Sequence, residues 1–316
     1  FENTSTILIL ELAAGLIGAS SVPIDVKRDT PERIKFKLKD AGVKLFFKNE
    51  KEVSYLNFAN TTLPLPKANS LADEYLLLYT SGTTAHPKGV PLSLLNIMAN
   101  AQGIIDWQKL SAEDRFLIVL PLHHINSTTM SFAALLAGGT VLLFSRYSAS
   151  RFWELSSKYQ TTITSIVPTI LHDSLSRKGE YLAKKYPLSY KRILIGSAPV
   201  LPEETLRFME TFGLDVVQGY GQTETALRVT GLPIDLPRQK YLELTKKNSI
   251  GKELAYCNVA VLHQDGKEAK ESQEGEICIR GQVVAEGYLN SPEDTKKAFF
   301  GGWFHSGDLG FYEIIE

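Results

Sequence analysis

Apolar and polar positions follow two different spacings along this chain. Residues Thr6 to Gly18 and Pro31 to Ala41 carry helix-like patterns, and they lead to short apolar runs at Ser21–Ile24 and Val43–Phe47. Beyond a polar, proline-containing connector at Asn60–Asn69 comes a continuous apolar run, Leu76–Tyr79, then a helical pattern over Leu94–Trp107. Strand candidates follow at Phe116–Leu120, Thr140–Phe144, Ile163–Val167, Arg192–Ile195 and Val216–Gln218, separated by helical stretches. One of these, Pro202–Phe212, starts on a proline and is followed by Gly213, which are start and stop signals for a helix. Strand–helix alternation of this kind predicts an α/β fold with a parallel sheet. From about Ser249 the texture changes. Short runs at Tyr256–Leu262 and Glu276–Arg280, punctuated by Asp265-Gly266 and Glu274-Gly275, predict an antiparallel β unit. No internal repeat or low-complexity tract interrupts the pattern.

The apolar run at Leu76–Tyr79 opens into Thr80-Ser-Gly-Thr-Thr-Ala-His-Pro-Lys-Gly89. Four hydroxyls (Thr80, Ser81, Thr83, Thr84), Gly82 and Gly89 for close backbone approach, and the charge of Lys88 suit an anion such as a phosphate. The Gly-Lys-[Ser/Thr] ending of a Walker loop is absent, and taken alone the segment also fits an ordinary Ser/Thr/Gly surface turn. Further segments separate the two readings: Gly196-Ser-Ala-Pro199 after one strand candidate, Gly219-Tyr-Gly-Gln-Thr-Glu-Thr-Ala226 after another, and Trp303-Phe-His-Ser-Gly-Asp-Leu-Gly310. Val22-Pro-Ile-Asp25, Gly275-Glu-Ile-Cys-Ile-Arg-Gly281 and Gly287-Tyr-Leu-Asn-Ser-Pro292 complete the set.

In order and content these segments resemble the adenylate-forming (AMP-binding) superfamily of acyl-CoA synthetases, luciferases and peptide-synthetase adenylation domains, over almost the whole chain. The resemblance implies two doubly wound α/β lobes, residues 1–106 with the phosphate loop and 107–229 with the acyl and adenine site. A smaller β-barrel-like subdomain, residues 230–316, completes the large N-terminal domain of such enzymes. It implies a ligase that activates a carboxylic acid with ATP to an acyl-adenylate and passes the acyl group to a thiol, of coenzyme A or of a carrier protein. A catalytically silent nucleotide-binding module is the reading from a different class.

Carried over residue by residue, the resemblance assigns Thr80, Ser81, Gly82, Thr83, Thr84 and Lys88 to the departing phosphates. Gly196, Ser197, Ala198 and Pro199 form one wall of the adenine site, and Gly219, Tyr220, Gly221 and Gln222 the other. Thr223 meets the α-phosphate, Glu224 associates with Mg²⁺, Asp308 accepts the ribose hydroxyls, and His124 sits beside the reacting carboxylate. A lone Glu among glycines and threonines suits a cation that prefers oxygen ligands, although Glu224 as a helix cap and Asp308 in an Asx turn are the ordinary structural readings. Ala85 stands where the family commonly has glycine. Amino-acid-activating members carry an Asp in the segment corresponding to Leu122–Leu136, and this chain has no acid there. An unpaired buried ammonium is costly, so a fatty, aryl, small or dicarboxylic acid is expected instead. The stretch Ser165–Leu171 is expected to contribute a wall of the acyl pocket.

Composition narrows the picture further. At 316 residues and 44% hydrophobic content the chain can build a large core, and its formal charge of −1 argues against a nucleic-acid partner. The basic stretch Arg33–Lys39 reads as a helix with a solvated lysine face. Two cysteines, Cys257 and Cys278, form neither a metal-ligand spacing nor a disulfide framework, which suits a cytoplasmic protein. The most apolar stretch, Ser131–Phe144, is too short to span a bilayer. The chain opens on Phe1 and closes just after Gly310, so a natural beginning and a C-terminal lysine-bearing domain are expected beyond it, and this portion alone is expected to be nearly inactive.

Overall fold

The computed structural model describes residues 3–25, 27–47, 52, 70–80 and 87–315. Its centre is a seven-stranded sheet. Strands β3 (Arg115–Ile118), β4 (Thr140–Leu143), β5 (Ile163–Ile166), β6 (Arg192–Ile195) and β7 (Val216–Tyr220) run parallel, in the order β4-β3-β5-β6-β7. The buried apolar positions of these strands are Ile, Leu, Val and Phe, as expected where both faces of a parallel sheet are covered by helices. Strands β8 (Thr230–Gly231) and β9 (Lys252–Glu253) extend the β7 edge antiparallel.

Two helices show how local sequence sets the frame. Pro202–Phe212 starts with its proline in the first turn and ends on Gly213 at φ 64°, a left-handed position that glycine takes without strain. Leu94–Gln108 starts with a reciprocal cap: the Ser93 hydroxyl accepts from the Asn96 N–H, and the Asn96 side chain accepts from the Ser93 N–H.

The N-terminal part departs from expectation. The hydroxyl loop does not follow a parallel strand. Strands β1 (Glu74–Thr80) and β2 (Lys88–Ser93) form an antiparallel hairpin in which Thr80 pairs with Lys88. Of the Ser21–Ile24 run only Ser21 pairs, in a parallel bridge to Leu76. The run Val43–Phe47 forms no strand, and its Leu45 is left exposed. The basic stretch forms the expected helix, Pro31–Asp40, capped by Thr30. Its lysine face is not uniformly solvated, however: Lys37 is buried in an ion pair with Asp29.

The β-rich part gathers its own sheet only from Cys257 onward. Strands β10 (Cys257–Leu262), β11 (Gly275–Gly281), β12 (Phe299–Phe300) and β13 (Trp303–Gly310) pair antiparallel in the order β10-β11-β13-β12. A separate small core of Val229, Cys257, Ile277, Ile279, Val283 and Phe304 packs beneath it. Both cysteines are buried and unbridged. Among the described residues no helix is long and apolar enough to cross a membrane.

Candidate functional site

In a parallel sheet every strand delivers its following loop to the same end. The order β4-β3-β5 reverses the direction of winding between β3 and β5, opening a crevice where α/β proteins seat ligands. The loop after β3 carries His123 and His124, and the loops after β6 and β7 carry Gly196–Pro199 and Gly221–Gln222. Asn126 ties these neighbours together: its Nδ2 donates to Ser165 Oγ at 3.0 Å and to Ser197 Oγ at 3.3 Å. Ser165, expected at the acyl wall, and Ser197, expected at the adenine wall, therefore face a common side chain.

The segment after β7 is held from below. Thr223–Thr225 forms a turn of 3₁₀ helix capped by Gln222, whose N–H donates to Thr225 Oγ1. Asn100 Nδ2 donates to the carbonyls of Thr225, at 3.0 Å, and Arg228, at 2.7 Å, and Thr129 Oγ1 donates to Ala226 O at 2.9 Å. Gly221 is required here, since a Cβ would collide with the Leu227 carbonyl. Gly196 is required for a different reason: a Cβ there would meet the Arg228 guanidinium, which passes between Gly196 and Gly219 and donates to the carbonyls of Ile195 and Gly219. Arg228 is 2% exposed, and burial lowers its pKa to about 10.

Glu224 projects from this turn and is 8% exposed. Its Oε1 accepts from the Tyr288 hydroxyl at 2.9 Å, and the Ala285 N–H donates to its backbone carbonyl at 2.8 Å. Burial pushes the Glu224 pKa up, while its hydrogen bonds and the charge of Lys88 pull the other way. Lys88 reaches the same place from β2. Its Nζ lies 4.9 Å from the Tyr288 ring centroid and 3.0 Å from Asp294 Oδ1. The Leu289 N–H donates to Gly89 O, so the Gly287–Pro292 motif is fastened along β2. Of the phosphate-loop residues, Thr80 and Lys88 stand as register partners, while Ser81, Gly82, Thr83 and Thr84, with Ala85, lie outside the described residues.

Asp308 lies exposed on β13 and is joined to the β7 loop by side chains alone. Its Oδ2 accepts from the Tyr220 hydroxyl at 2.7 Å and from Gln222 Nε2 at 2.9 Å, and Gln222 Nε2 also donates to Ser306 O at 3.0 Å. Tyr220, Gln222 and Asp308 thus form one polar edge, with Glu224, Tyr288 and Lys88 as a second. His124 is the N-cap residue of helix Ile125–Leu136, with its ring 5.5 Å from that of His123. The surrounding protein and the charge of Arg28 lower its pKa, which keeps the ring neutral. His123 faces Asp25, with Nε2 3.1 Å from Oδ2. Burial holds His123 down to about 4.

Sequence reasoning passed over Arg228, Asn100 and Tyr288 as site residues. Tyr288 lay within a quoted motif, whereas Arg228 and Asn100 carried no local signal, because their partners belong to other elements. It also passed over Asp25 as a carboxylate beside the His123–His124 segment.

The chain matches the family model described as AMP-binding enzyme over residues 1–289. It is 32% identical over 345 residues to an oxalate–CoA ligase of Arabidopsis thaliana, covering 99% of this chain and 66% of that protein. To a 2-succinylbenzoate–CoA ligase of Bacillus anthracis (strain A0248) it is 31% identical over 322 residues, covering 99% and 64%. Among solved structures it is similar to O-succinylbenzoate coenzyme A synthetase from Bacillus subtilis in complex with AMP. The TM-score is 0.83 at 28% identity, over 98% of this chain and 64% of that one. The chain spans less than two thirds of the length of these two curated relatives.

Proposed function

The chain belongs to the AMP-binding enzyme family, and from that premise we propose that it is the large portion of an acid–CoA ligase that forms an acyl-adenylate from ATP and a carboxylic acid. The observation that carries this reading is the pair of polar edges on one sheet end, Tyr220–Gln222–Asp308 and Glu224–Tyr288–Lys88. One suits the hydroxyls of a ribose, the other the charge of a polyphosphate.

The chemical difficulty is the approach of two anions, a carboxylate and the α-phosphate, which placed cations and donors relieve. Lys88 and the hydroxyls of Thr80, Ser81, Thr83 and Thr84, with Gly82, hold the departing phosphates, and Thr223 donates to the α-phosphate. Asp308 accepts the ribose hydroxyls while Tyr220 and Gln222 hold its carboxylate in place. Gly196, Ser197, Ala198 and Pro199 face the adenine from one side, and Gly219, Tyr220 and Gly221 from the other. His124, neutral, sits beside the acyl carboxylate without adding to its charge.

Glu224 fits a magnesium-associated residue: it is a buried carboxylate whose charge is penalised until a cation shares its surroundings. Mg²⁺ bound there with the phosphate oxygens would supply neutralising charge. The acceptor is the coenzyme A thiol, supported by relatives named as CoA ligases; a carrier-bound thiol is the runner-up. The same premise supports lobes at 1–106 and 107–229 with a β-rich subdomain at 230–316, and the two reduced cysteines support a cytoplasmic setting.

Asp25 does not turn the acyl site into an ammonium site. Its carboxylate is engaged by His123 and by the N–H groups of Lys27 and Arg28. An acid with a second anionic or polar group is preferred in this reading over a plain fatty acid. The relatives named for oxalate and 2-succinylbenzoate agree with that preference.

ATP–pyrophosphate exchange over fatty, aryl, small and dicarboxylic acids tests the proposal. Exchange that depends on one of these acids is expected, highest for a dicarboxylic one. Nucleotide binding without exchange in the complete protein would make the chain a silent nucleotide-binding module. Thioester formation with coenzyme A, compared with a phosphopantetheinyl carrier, identifies the acceptor.

A further inference from the structure

Strand β11 places Glu276 and Cys278 two residues apart, on one face of the sheet, and β13 pairs His305 with Cys278. A register shift between Glu276 and Cys278 turns the carboxylate toward the same imidazole. His305 Nδ1 lies 2.8 Å from Glu276 Oε2 and 3.3 Å from Cys278 Sγ, and the three donor atoms all fall within 4.8 Å of one another. Two neighbours fix this arrangement. Phe300 stacks on the imidazole with ring centroids 3.6 Å apart, and the Gly307 N–H donates to Glu276 Oε1 at 2.8 Å. Cys278 is fully buried, whereas Glu276 is partly exposed, leaving an approach from the carboxylate side. The proposed ligase chemistry uses none of these three side chains.

We propose that Glu276, Cys278 and His305 form a binding site for a borderline-soft divalent transition metal of the zinc class, with the fourth position left to water. A thiolate, an imidazole nitrogen and a carboxylate oxygen are a zinc donor set, and the sulfur discriminates against magnesium. Tetrahedral coordination with bonds of ~2.0–2.3 Å requires donor atoms ~3.3–3.6 Å apart. The sulfur–nitrogen spacing comes within roughly 0.3 Å of this, and the carboxylate must withdraw from the imidazole by roughly 0.5 Å. On binding, the Cys278 S–H bond breaks, a sulfur–metal bond forms and the proton leaves to solvent. The Nδ1 proton that His305 shares with Glu276 passes to solvent, and the neutral ring, protonated on Nε2, offers its Nδ1 lone pair. Two anionic ligands then balance the divalent charge, while Gly307 and Phe300 orient the carboxylate and the ring.

Cobalt(II) titrated into the chelator-treated, folded chain provides the test, with thiolate-to-cobalt charge-transfer absorption as the readout and zinc(II) as competitor. One equivalent should bind, giving a band that zinc abolishes and that excess magnesium leaves in place. Cys257→Ser should keep the band, because Cys257 faces the carbonyls of Val229 and Leu254. Cys278→Ser should abolish it and weaken zinc binding by more than the ~10–100-fold that loss of an outer partner costs. Glu276→Gln, at a partly exposed position that folding tolerates, should weaken zinc binding by at least ~10-fold with circular dichroism unchanged. Absence of the band in the folded wild-type chain, its survival in Cys278→Ser, or equal zinc affinity in Glu276→Gln overturns the proposal.

Discussion

The turn after β7 and the strand that carries Asp308 solve the same problem, placing a carboxylate at a site, by opposite means. Glu224 stands on a buried turn whose backbone is bonded from below by Asn100 and Thr129. Asp308 stands on an exposed strand and, among the described residues, meets the rest of the site through the tips of Tyr220 and Gln222. In the first region the position of the functional group is a property of the core, so disturbing it costs stability. In the second it depends on a few exposed hydrogen bonds, so disturbing it costs binding alone. A divided site of this kind can hold its charged centre rigid while its nucleotide edge adjusts.

The largest effect that would sharpen this contrast is on rate. Glu224→Gln should lower acid-dependent ATP–pyrophosphate exchange in the complete protein by ~10²–10³-fold, with acid binding much less affected. Its magnesium dependence should also change, and a dependence equal to wild type would refute the role. Because burial raises the Glu224 pKa, the magnesium needed for half-maximal exchange in wild type should climb as pH falls, starting above the ordinary carboxylate range.

Next comes stability. Asn100→Ala strips the bonds to Thr225 and Arg228 from a buried location and should cost about 2–4 kcal/mol in urea unfolding. A loss near zero would mean that the turn is not held from the core.

Asp308→Ala should do the reverse. AMP binding measured by calorimetry should weaken by about 1–3 kcal/mol, while unfolding stays within about 0.5 kcal/mol of wild type. A large loss of stability would erase the contrast between the two regions. The smallest expected effect is that of Tyr220→Phe, which keeps the ring and removes one donor to Asp308. It should cost about 0.5–1.5 kcal/mol of nucleotide affinity and leave exchange at saturating ATP nearly unchanged.

The two regions also differ in how far the sequence foretold them. Arg192–Ile195 and Pro202–Phe212 lie where the pattern places them, because a β-rich run and a helix bounded by Pro202 and Gly213 are decided locally. The site segments around Gly196 and Gly219 were legible for the same reason, as each is a contiguous motif at a strand end. What joins them was not. The Tyr288–Glu224 bond, the Asn100 bonds to the β7 loop and the meeting of Cys278 with His305 depend on which strands and helices become neighbours. Val43–Phe47 shows the converse failure: its strand-like run pairs with no described strand, and pairing rather than propensity makes a strand.

The fastening of the Gly287–Pro292 motif to the N-terminal region has a consequence in time. Asn290 Nδ2 donates to the Asp40 carbonyl across 250 positions of chain. At ~5–20 residues per second of synthesis, Asp40 waits on the order of 12–50 s for that partner to be made. Strands β6 and β7 and the loops they carry are all made within that interval. The nascent protein can therefore pack Gly196–Pro199 beside Tyr220 before Tyr288 closes over Glu224 and Lys88, and Asp308, made later still, is the last of these site residues to join.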